Sequence, residues 1–293
     1  MTLNASGPIS LAGTTAGQSI EIELGGSGTA QISLNCTTVR TLAGVPSGAI
    51  IMPTNFYGKS NAVVQGTFYG GYISGYSKLV TRINACGALM GSETTAGTAR
   101  TQLAGTTVGA NGLFYGGYVF GASNLVTRIN ACGALVGSQT NVGTARTALA
   151  GATVGSNGLF YGGCASCVSK LVTRINACGA LVGSQTNVGT ARNFLAGATV
   201  GSNGLFYGGC DATSFSKLVT RINACGAIVG SQTNAGTARI ALAGATVGAN
   251  GLFYGGCASG ASNLVTRINA CGALVGSQTN VGTARCGLAG AGS

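Results

Sequence analysis

The chain has 293 residues, 53 of them glycine; 45% of the residues are apolar, 6% are charged, and the net charge is +11. This composition excludes a highly charged disordered chain. The four acidic residues and the absence of histidine exclude a Ser-His-Asp triad and a histidine general base. A glycosidase needs two placed carboxylates, and only Glu93 and Asp211 occur in the repeats described below. We therefore predict no catalytic residues and no enzyme activity.

The first part of the chain, residues 1–58, differs in composition from the rest. It contains all the prolines of the chain, which are Pro8, Pro46 and Pro53. Apolar and acidic residues alternate over residues 18–24, and a second strand-like stretch covers residues 30–34. Alternation of this kind is typical of a half-buried strand. We predict a small β-rich N-terminal module followed by a separate domain over residues 59–293.

The second part of the chain is a repeat. The string Arg-Ile-Asn-Ala-Cys-Gly recurs at steps of 46, 46, 47 and 46 residues, beginning at Arg82, Arg128, Arg174, Arg221 and Arg267. Each unit has room for four short strands; in the third unit they are predicted at residues 148–154, 159–161, 171–175 and 180–185, with a hairpin turn at Asn157-Gly158. Four antiparallel strands in this length are typical of a propeller blade. The sequence predicts an all-β, five-bladed β-propeller.

The two ends of the repeat region suggest how the ring closes. Residues 285–291 copy the start of a unit and then stop, while the first unit begins with a poor first strand. We expect the C-terminal strand to fill the first position of blade one, which protects open strand edges. The alternative is that residues 56–64 supply that strand.

Two resemblances follow from these segments. The order of motifs over residues 100–117 and in its counterparts resembles a degenerate kelch repeat, without the tryptophan that kelch units carry. Residues 17–20 (Gly-Gln-Ser-Ile), 30–35 (Ala-Gln-Ile-Ser-Leu-Asn) and 52–58 (Met-Pro-Thr-Asn-Phe-Tyr-Gly) resemble modules of tail and baseplate-associated proteins of tailed bacteriophages. The second resemblance implies a virion structural protein of a tail fibre or baseplate.

This resemblance also implies partners and a location. The N-terminal module would attach to other tail or baseplate proteins, and the protein would be assembled into the virion in the host cytoplasm. A capsid decoration protein, a stand-alone glycan-binding adhesin and an intracellular kelch-type adaptor are the alternatives. We also expect a homo-oligomer, as phage fibres commonly are.

The basic residues are spread evenly along the repeats. Each unit contributes two arginines at fixed places, which are Arg82 and Arg100, Arg128 and Arg146, Arg174 and Arg192, Arg221 and Arg239, and Arg267 and Arg285. This regularity favours a structural role, with guanidinium groups bonding backbone carbonyls, over a polyanion-binding patch. We expect no nucleic-acid partner. No apolar run is long enough to span a bilayer and no signal peptide is visible, so we expect a soluble protein made in the cytosol.

The eleven cysteines do not form a regular framework. The position after Tyr-Gly-Gly holds Cys164, Cys210 and Cys257, but tyrosine in the first two units. We therefore expect most to be free thiols, with a local or inter-subunit disulfide as the alternative. Cys164 and Cys167 form one Cys-x-x-Cys motif, but there is no second pair and no histidine. We expect no metal site and no cofactor.

Comparison among the units locates a variable face. The loop after Tyr-Gly-Gly and the residues after each Thr-Ala-Arg vary most. In a four-stranded meander both segments lie at the same end of the blade. Variation on one face of a repeat scaffold indicates a binding surface, and the alternative is drift in unconstrained loops. The candidate ligand-binding residues, for a host-surface glycan or protein, are Tyr72, Tyr76, Tyr118, Phe120, Phe194, Asp211 and Phe215.

Overall fold

A computed structural model of the chain describes residues 3–15, 17–24, 33–35, 37–45, 47–57, 65–72, 74–84, 88–288 and 290. The chain divides into two compact units, Met1–Val64 and Gln65–Ser293.

The described part of the first unit contains short helices. They are α1 (Ile20–Glu23), α2 (Thr37–Ala43) and a 3-10 helix (Thr54–Phe56). Their buried apolar side chains form one core, made of Leu3, Ile20, Val39, Leu42, Ala43 and Phe56.

The strand predicted at residues 18–24 is wrong, because this segment contains α1. Ser19 caps the helix, since its hydroxyl accepts a hydrogen bond from the Ile22 backbone N–H at 3.3 Å. Among the described residues of this unit, strand pairing is limited to one bridge between Ser10 and Ser19. A four-residue helix is too short to show a helical period, so the alternation of Ile and Glu was misleading. Of the second predicted strand, residues 30–32 lie outside the described residues and Leu34 lies in a turn.

The second unit is a five-bladed β-propeller, as predicted. Blade one has three described strands, which are β1 (Gln65–Tyr69), β2 (Leu79–Asn84) and β3 (Thr94–Thr95). Blades two and three comprise β4 (Ala104–Val108), β5 (Asn111–Tyr115), β6 (Leu125–Ile129) and β7 (Thr140–Asn141), then β8 (Ala150–Val154), β9 (Asn157–Tyr161), β10 (Leu171–Asn176) and β11 (Thr186–Asn187). Blades four and five comprise β12 (Ala196–Val200), β13 (Asn203–Tyr207), β14 (Leu218–Asn223) and β15 (Thr233–Asn234), then β16 (Ala243–Val247), β17 (Asn250–Tyr254), β18 (Ser262–Asn269) and β19 (Thr279–Arg285). Neighbouring strands pair antiparallel in chain order.

The turns within a blade are partly as predicted. The hairpin turn between β8 and β9 is formed by Gly155 and Ser156, and Asn157 already pairs with Val154. Gly155 has φ of 60°, which a tight hairpin turn requires and glycine adopts without strain. The Asn-Ala-Cys-Gly turn is confirmed, since the Asn176 side-chain oxygen accepts hydrogen bonds from two backbone N–H groups. The fourth strand lies at β11, later than the predicted residues 180–185.

The first strands of successive blades pack backbone against backbone. A Cβ placed on Gly197 would lie 2.3 Å from the carbonyl oxygen of Gly151 in the preceding blade. The Thr199 hydroxyl donates a hydrogen bond of 2.8 Å to the Thr153 carbonyl across the same boundary. Glycine at this repeat position therefore permits an approach that any side chain would block.

Buried arginines tie the blades together. Arg192 is fully buried, and its Nη1 donates to the carbonyl oxygens of Gly208 and Leu218 at 2.6 and 2.7 Å. Its Nη2 donates to the Thr220 hydroxyl, and its guanidinium lies 5.9 Å from the ring centre of Tyr161 in the preceding blade. The equivalent buried residues are Arg100, Arg146 and Arg239. Burial lowers the pKa of Arg100, Arg146 and Arg192 from its ordinary value.

The other arginine set also contacts backbone. Arg82 and Arg174 donate to carbonyl oxygens in the turn of the next blade, at Ala131 and Ala224. The predicted bonding of guanidinium groups to backbone carbonyls is therefore found in both sets. The donors are Arg100, Arg146, Arg192 and Arg239 in one set and Arg82 and Arg174 in the other.

The C-terminal residues extend blade five. β19 pairs with β18, so Arg285 lies in the fourth strand of blade five and does not begin a first strand. After it, the Gly287 N–H donates to the Ala241 carbonyl, and a Cβ on Gly290 would lie 2.4 Å from the Gly244 carbonyl oxygen. The tail therefore occupies, beside β16, the place of a following first strand. The predicted pairing of this strand with blade one is not seen, since no hydrogen bond of the described residues joins it to β1. Of residues 56–64, the alternative source, Phe56 lies in the 3-10 helix and residues 58–64 lie outside the described part.

One disulfide holds this tail. It joins Cys257, in the loop after Tyr-Gly-Gly of blade five, to Cys286. This is the local disulfide that the sequence left open. The free thiols among the described residues are Cys132, Cys164, Cys167, Cys178, Cys210, Cys225 and Cys271.

Reduction of this disulfide should loosen the end of blade five. The bond closes a span of 29 residues, which corresponds to roughly 3 kcal/mol in the chain-entropy estimate. Since β19 is exposed along its whole length, we expect the loss to be local. Hydrogen exchange of residues 279–288 should accelerate when Cys286 is replaced by Ser, while peptides of blade three, which has only free thiols, should be unchanged. If residues 279–288 exchange at the same rate in the wild type and in the Cys286→Ser variant, the disulfide does not hold the tail in place.

Candidate functional site

The variable segments lie side by side. In blades two to five, the residue that follows Thr-Ala-Arg at the start of the blade forms an isolated bridge with the residue that follows Tyr-Gly-Gly, as Thr101 does with Tyr118 and Asn193 with Cys210. The prediction that both segments lie on one side of the blade is therefore confirmed. This arrangement follows from the strand order, because both segments join strands at the same end.

Four predicted residues form an aromatic patch, defined here as Tyr72, Tyr76, Tyr118 and Phe120. The Tyr76 ring is central, with ring centres of Tyr72, Tyr118 and Phe120 at 6.0, 5.9 and 5.4 Å. All three pairs are edge-on, with interplanar angles of 69°, 65° and 88°. Phe120 is 90% exposed, Tyr72 67% and Tyr118 38%. The patch therefore presents rings at several orientations to solvent, across blades one and two.

Phe120 is held in an uncommon backbone conformation. Its φ is 51°, in the left-handed region that bulky residues seldom adopt. The flanking Val119 N–H donates to the Gly121 carbonyl at 2.9 Å, which closes the loop tightly around Phe120. Apart from its edge contact with Tyr76, this large apolar side chain lies almost wholly in water and gains little from burial. Backbone strain of the kind seen at Phe120 is often found at functional sites.

The other three candidates lie in blade four or at its start. Phe194 is half-buried, and its backbone donates to Ala148 and accepts from Ala241, so it belongs to a ladder between blades. Phe215 is exposed and bridges to Cys210. No ring contact among the described residues joins either phenylalanine to the aromatic patch.

Asp211 stabilises its own loop. Its Oδ1 accepts hydrogen bonds from the Thr213 N–H, the Thr213 hydroxyl and the Ser214 N–H. These bonds, led by that from the Thr213 backbone, lower the pKa of the Asp211 carboxyl. The carboxylate caps the loop that carries the one-residue insertion of this unit, and this contact gives it a structural role.

Sequence reasoning missed the ladder that runs beneath the variable face. The second residue after each Thr-Ala-Arg donates its N–H to the carbonyl of its counterpart one blade earlier, at 2.8 to 2.9 Å. These residues all have φ between 51° and 68°, and they are Gln102, Ala148, Phe194, Ala241 and Gly287. Their identities vary so widely that no side-chain pattern reveals the shared conformation. The ladder fixes the spacing of the loops above it.

The cysteine and acidic side chains of the described residues are spread out. No group of three or more His, Cys, Asp or Glu side chains lies close together within them. Burial, followed by the nearby charges of Asp211 and Cys164, raises the pKa of the Cys210 thiol, which reduces its reactivity. In the described part of the chain, no helix combines the length and apolar character needed to cross a bilayer.

Comparison with known proteins adds no family. No protein-family model matches the chain, and no curated protein matches it. A propeller fold alone is compatible with many functions, so the function must be argued from the surface.

Proposed function

We propose that this protein is a non-catalytic attachment component of a phage virion, in a tail fibre or baseplate, and that its aromatic patch binds a host-surface carbohydrate. The binding part of the proposal rests on the cluster of exposed rings around Tyr76. The virion part rests on the likeness of the N-terminal segments to phage tail modules, which would anchor the chain to other tail proteins.

The chemistry of the patch favours a sugar. Aromatic rings offer large contact area and a polar hydroxyl at the tyrosine tip, which suits the alternating C–H and O–H groups of a pyranose. The rings stand edge-on to one another, so they form a shallow cradle rather than a flat platform. The carboxylate of Asp211 contributes little to ligand binding, since it accepts hydrogen bonds within its own loop.

Replacing Tyr118 and Phe120 together by Ala should weaken attachment while leaving the fold intact. Both side chains are exposed, so the free energy of unfolding should change by less than about 1 kcal/mol. Loss of two contact aromatics should weaken binding by roughly 10-fold to 100-fold or more. A glycan array identifies the ligand, and titration of the variant against that glycan measures the loss.

Two further variants make this result specific. Phe215→Ala removes an exposed aromatic ring from blade four and should leave glycan binding unchanged. Phe120→Gly removes the ring and relieves the positive φ, so it should lower binding without lowering the melting temperature. The binding proposal fails if the wild type recognises no glycan and host cells bind the wild type and the double variant equally well. A capsid or spacer role then becomes the better explanation.

A further inference from the structure

The chain contains four copies of one interface between blades. In each, a phenylalanine and an isoleucine of the following blade pack against alanine, valine and tyrosine side chains of the preceding blade, and in three of the four also against a leucine. Between blades four and five, Phe253 and Ile268 pack against Val200, Leu205 and Tyr207, and all five are buried. The Tyr207 and Phe253 ring centres lie 5.1 Å apart.

The last blade presents the first half of this interface with no blade against it. Val247 is 51% exposed, whereas its counterpart Val200 is 1% exposed. Val281 is 53% exposed, and Tyr254 is half-buried although its counterparts in blades two to four are buried. Arg285 is exposed, while the four arginines at the same repeat position are fully buried.

Blade one presents the second half. Phe68, Thr81 and Ile83 are half-buried, while the equivalent residues of blades two to five are buried. Each later phenylalanine at this position contacts a tyrosine ring of the preceding blade, at 5.1 to 5.3 Å. No such ring contact to Phe68 is found in the part of the chain that the structure describes. The two ends of the array therefore expose the two complementary halves of an interface that the chain already forms four times.

The C-terminal tail adds a backbone component. The backbone of Gly290 lies as close to Gly244 as the backbone of Gly244 lies to Gly197. In both cases an added Cβ would be 2.4 Å from the carbonyl oxygen of the preceding glycine. The tail thus lies where the first strand of a further blade would lie. In blade one, β1 corresponds to the second strand of the other blades, and no described strand pairs with its other edge. Cys257 and Cys286 hold this tail on blade five.

We infer that the exposed face of blade five binds the exposed face of blade one in a second copy of the chain, head to tail. Within one chain, no hydrogen bond or ring contact among the described residues joins blade five to blade one. Packing of Phe68 against Tyr254 of another copy would complete a fifth interface of the same kind. Such a heterologous contact produces closed rings or open chains of subunits.

A complementation experiment tests the inference with the full chain. Val281→Arg places a charge on the blade-five face, and Phe68→Arg places one on the blade-one face. Each variant alone should remain monomeric by sedimentation velocity, because one half of the contact is blocked. An equimolar mixture should form a 1:1 heterodimer and nothing larger, because one intact half remains on each chain. Exposed free thiols are alkylated first, so that intermolecular disulfides do not contribute.

Controls separate this result from misfolding and from closure within one chain. Leu181→Arg alters a comparably exposed apolar residue of blade three and should assemble like the wild type. Thr81→Arg replaces Phe68→Arg if circular dichroism shows that the latter does not fold. A wild type that stays monomeric as concentration rises overturns the inference. Mixed variants that remain monomers also overturn it, and point instead to the two faces meeting within one chain.

Discussion

Replacing Arg192 by Met should lower the free energy of unfolding by about 2–4 kcal/mol. The guanidinium donates to two carbonyl oxygens and one hydroxyl in a fully buried site. Methionine fills a similar volume but removes three hydrogen bonds to a charged group. The Thr220 hydroxyl keeps its donor Gln232 and the Leu218 carbonyl keeps the Gly208 N–H, whereas the Gly208 carbonyl loses the Arg192 donor. An unsatisfied buried polar group costs about 1–3 kcal/mol. The cation–π contact with Tyr161 is lost as well. Urea denaturation of wild type and variant measures the difference.

The chain contains its own control for this prediction. Arg285 occupies the same repeat position and lies 5.8 Å from the Tyr254 ring centre, but it is exposed. Arg285→Met should therefore cost less than about 1 kcal/mol. Arg192→Lys should fall between the two, because an ammonium group keeps the charge but does not reproduce the planar fork. Equal losses at both arginines would show that burial is not the source of the effect.

Replacing Gly197 by Ala should be the second most damaging single change. The new Cβ would lie 2.3 Å from the Gly151 carbonyl oxygen, and a backbone atom has little freedom to move. The first strands of two blades would have to separate, which also lengthens the Thr199–Thr153 hydrogen bond. Overpacking of this kind costs about 1–3 kcal/mol, and the contact is close enough to place the loss at the upper end. Thermal unfolding of the variant measures it.

Gly105→Ala is the matched substitution in blade two. The nearest described atoms to its new Cβ are carbons of the Phe114 ring, at 2.9 and 3.0 Å. A side-chain ring adjusts more easily than a carbonyl, so the loss should be under about 1 kcal/mol, offset in part because Ala is favoured over Gly in a strand. Similar losses at both glycines would contradict the view that backbone contact between blades sets the requirement for glycine.

The repeat region could be predicted well because its information is local and repeated. The period of the Arg-Ile-Asn-Ala-Cys-Gly string determined the number of blades, and the regular placement of arginine indicated backbone bonding. Single elements were less certain: the hairpin turn lies at Gly155-Ser156, before the Asn-Gly pair, because the pairing of Val154 with Asn157 sets the register. In the first unit, where nothing repeats, the segment predicted as a strand contains a short helix that the Ser19 hydroxyl caps and that buries Ile20 in the core of the unit.

The candidate site, too, could be predicted only in part. Sequence comparison among the units named all four residues of the aromatic patch, but only the structure separated them from Phe194, Asp211 and Phe215. Tyr76 meets Phe120 because two blades are packed side by side, at a separation in sequence that no local pattern encodes.

The amino-acid sequence by itself determined the count of blades, their strand order and the end of each blade that varies, because these depend on period and alternation along the chain. Only the tertiary structure decided which arginines are buried, which glycines face a neighbouring carbonyl and which end faces remain exposed. These properties arise from contacts between blades, where residues about one repeat apart meet, and identical side chains acquire different environments according to whether another blade covers them.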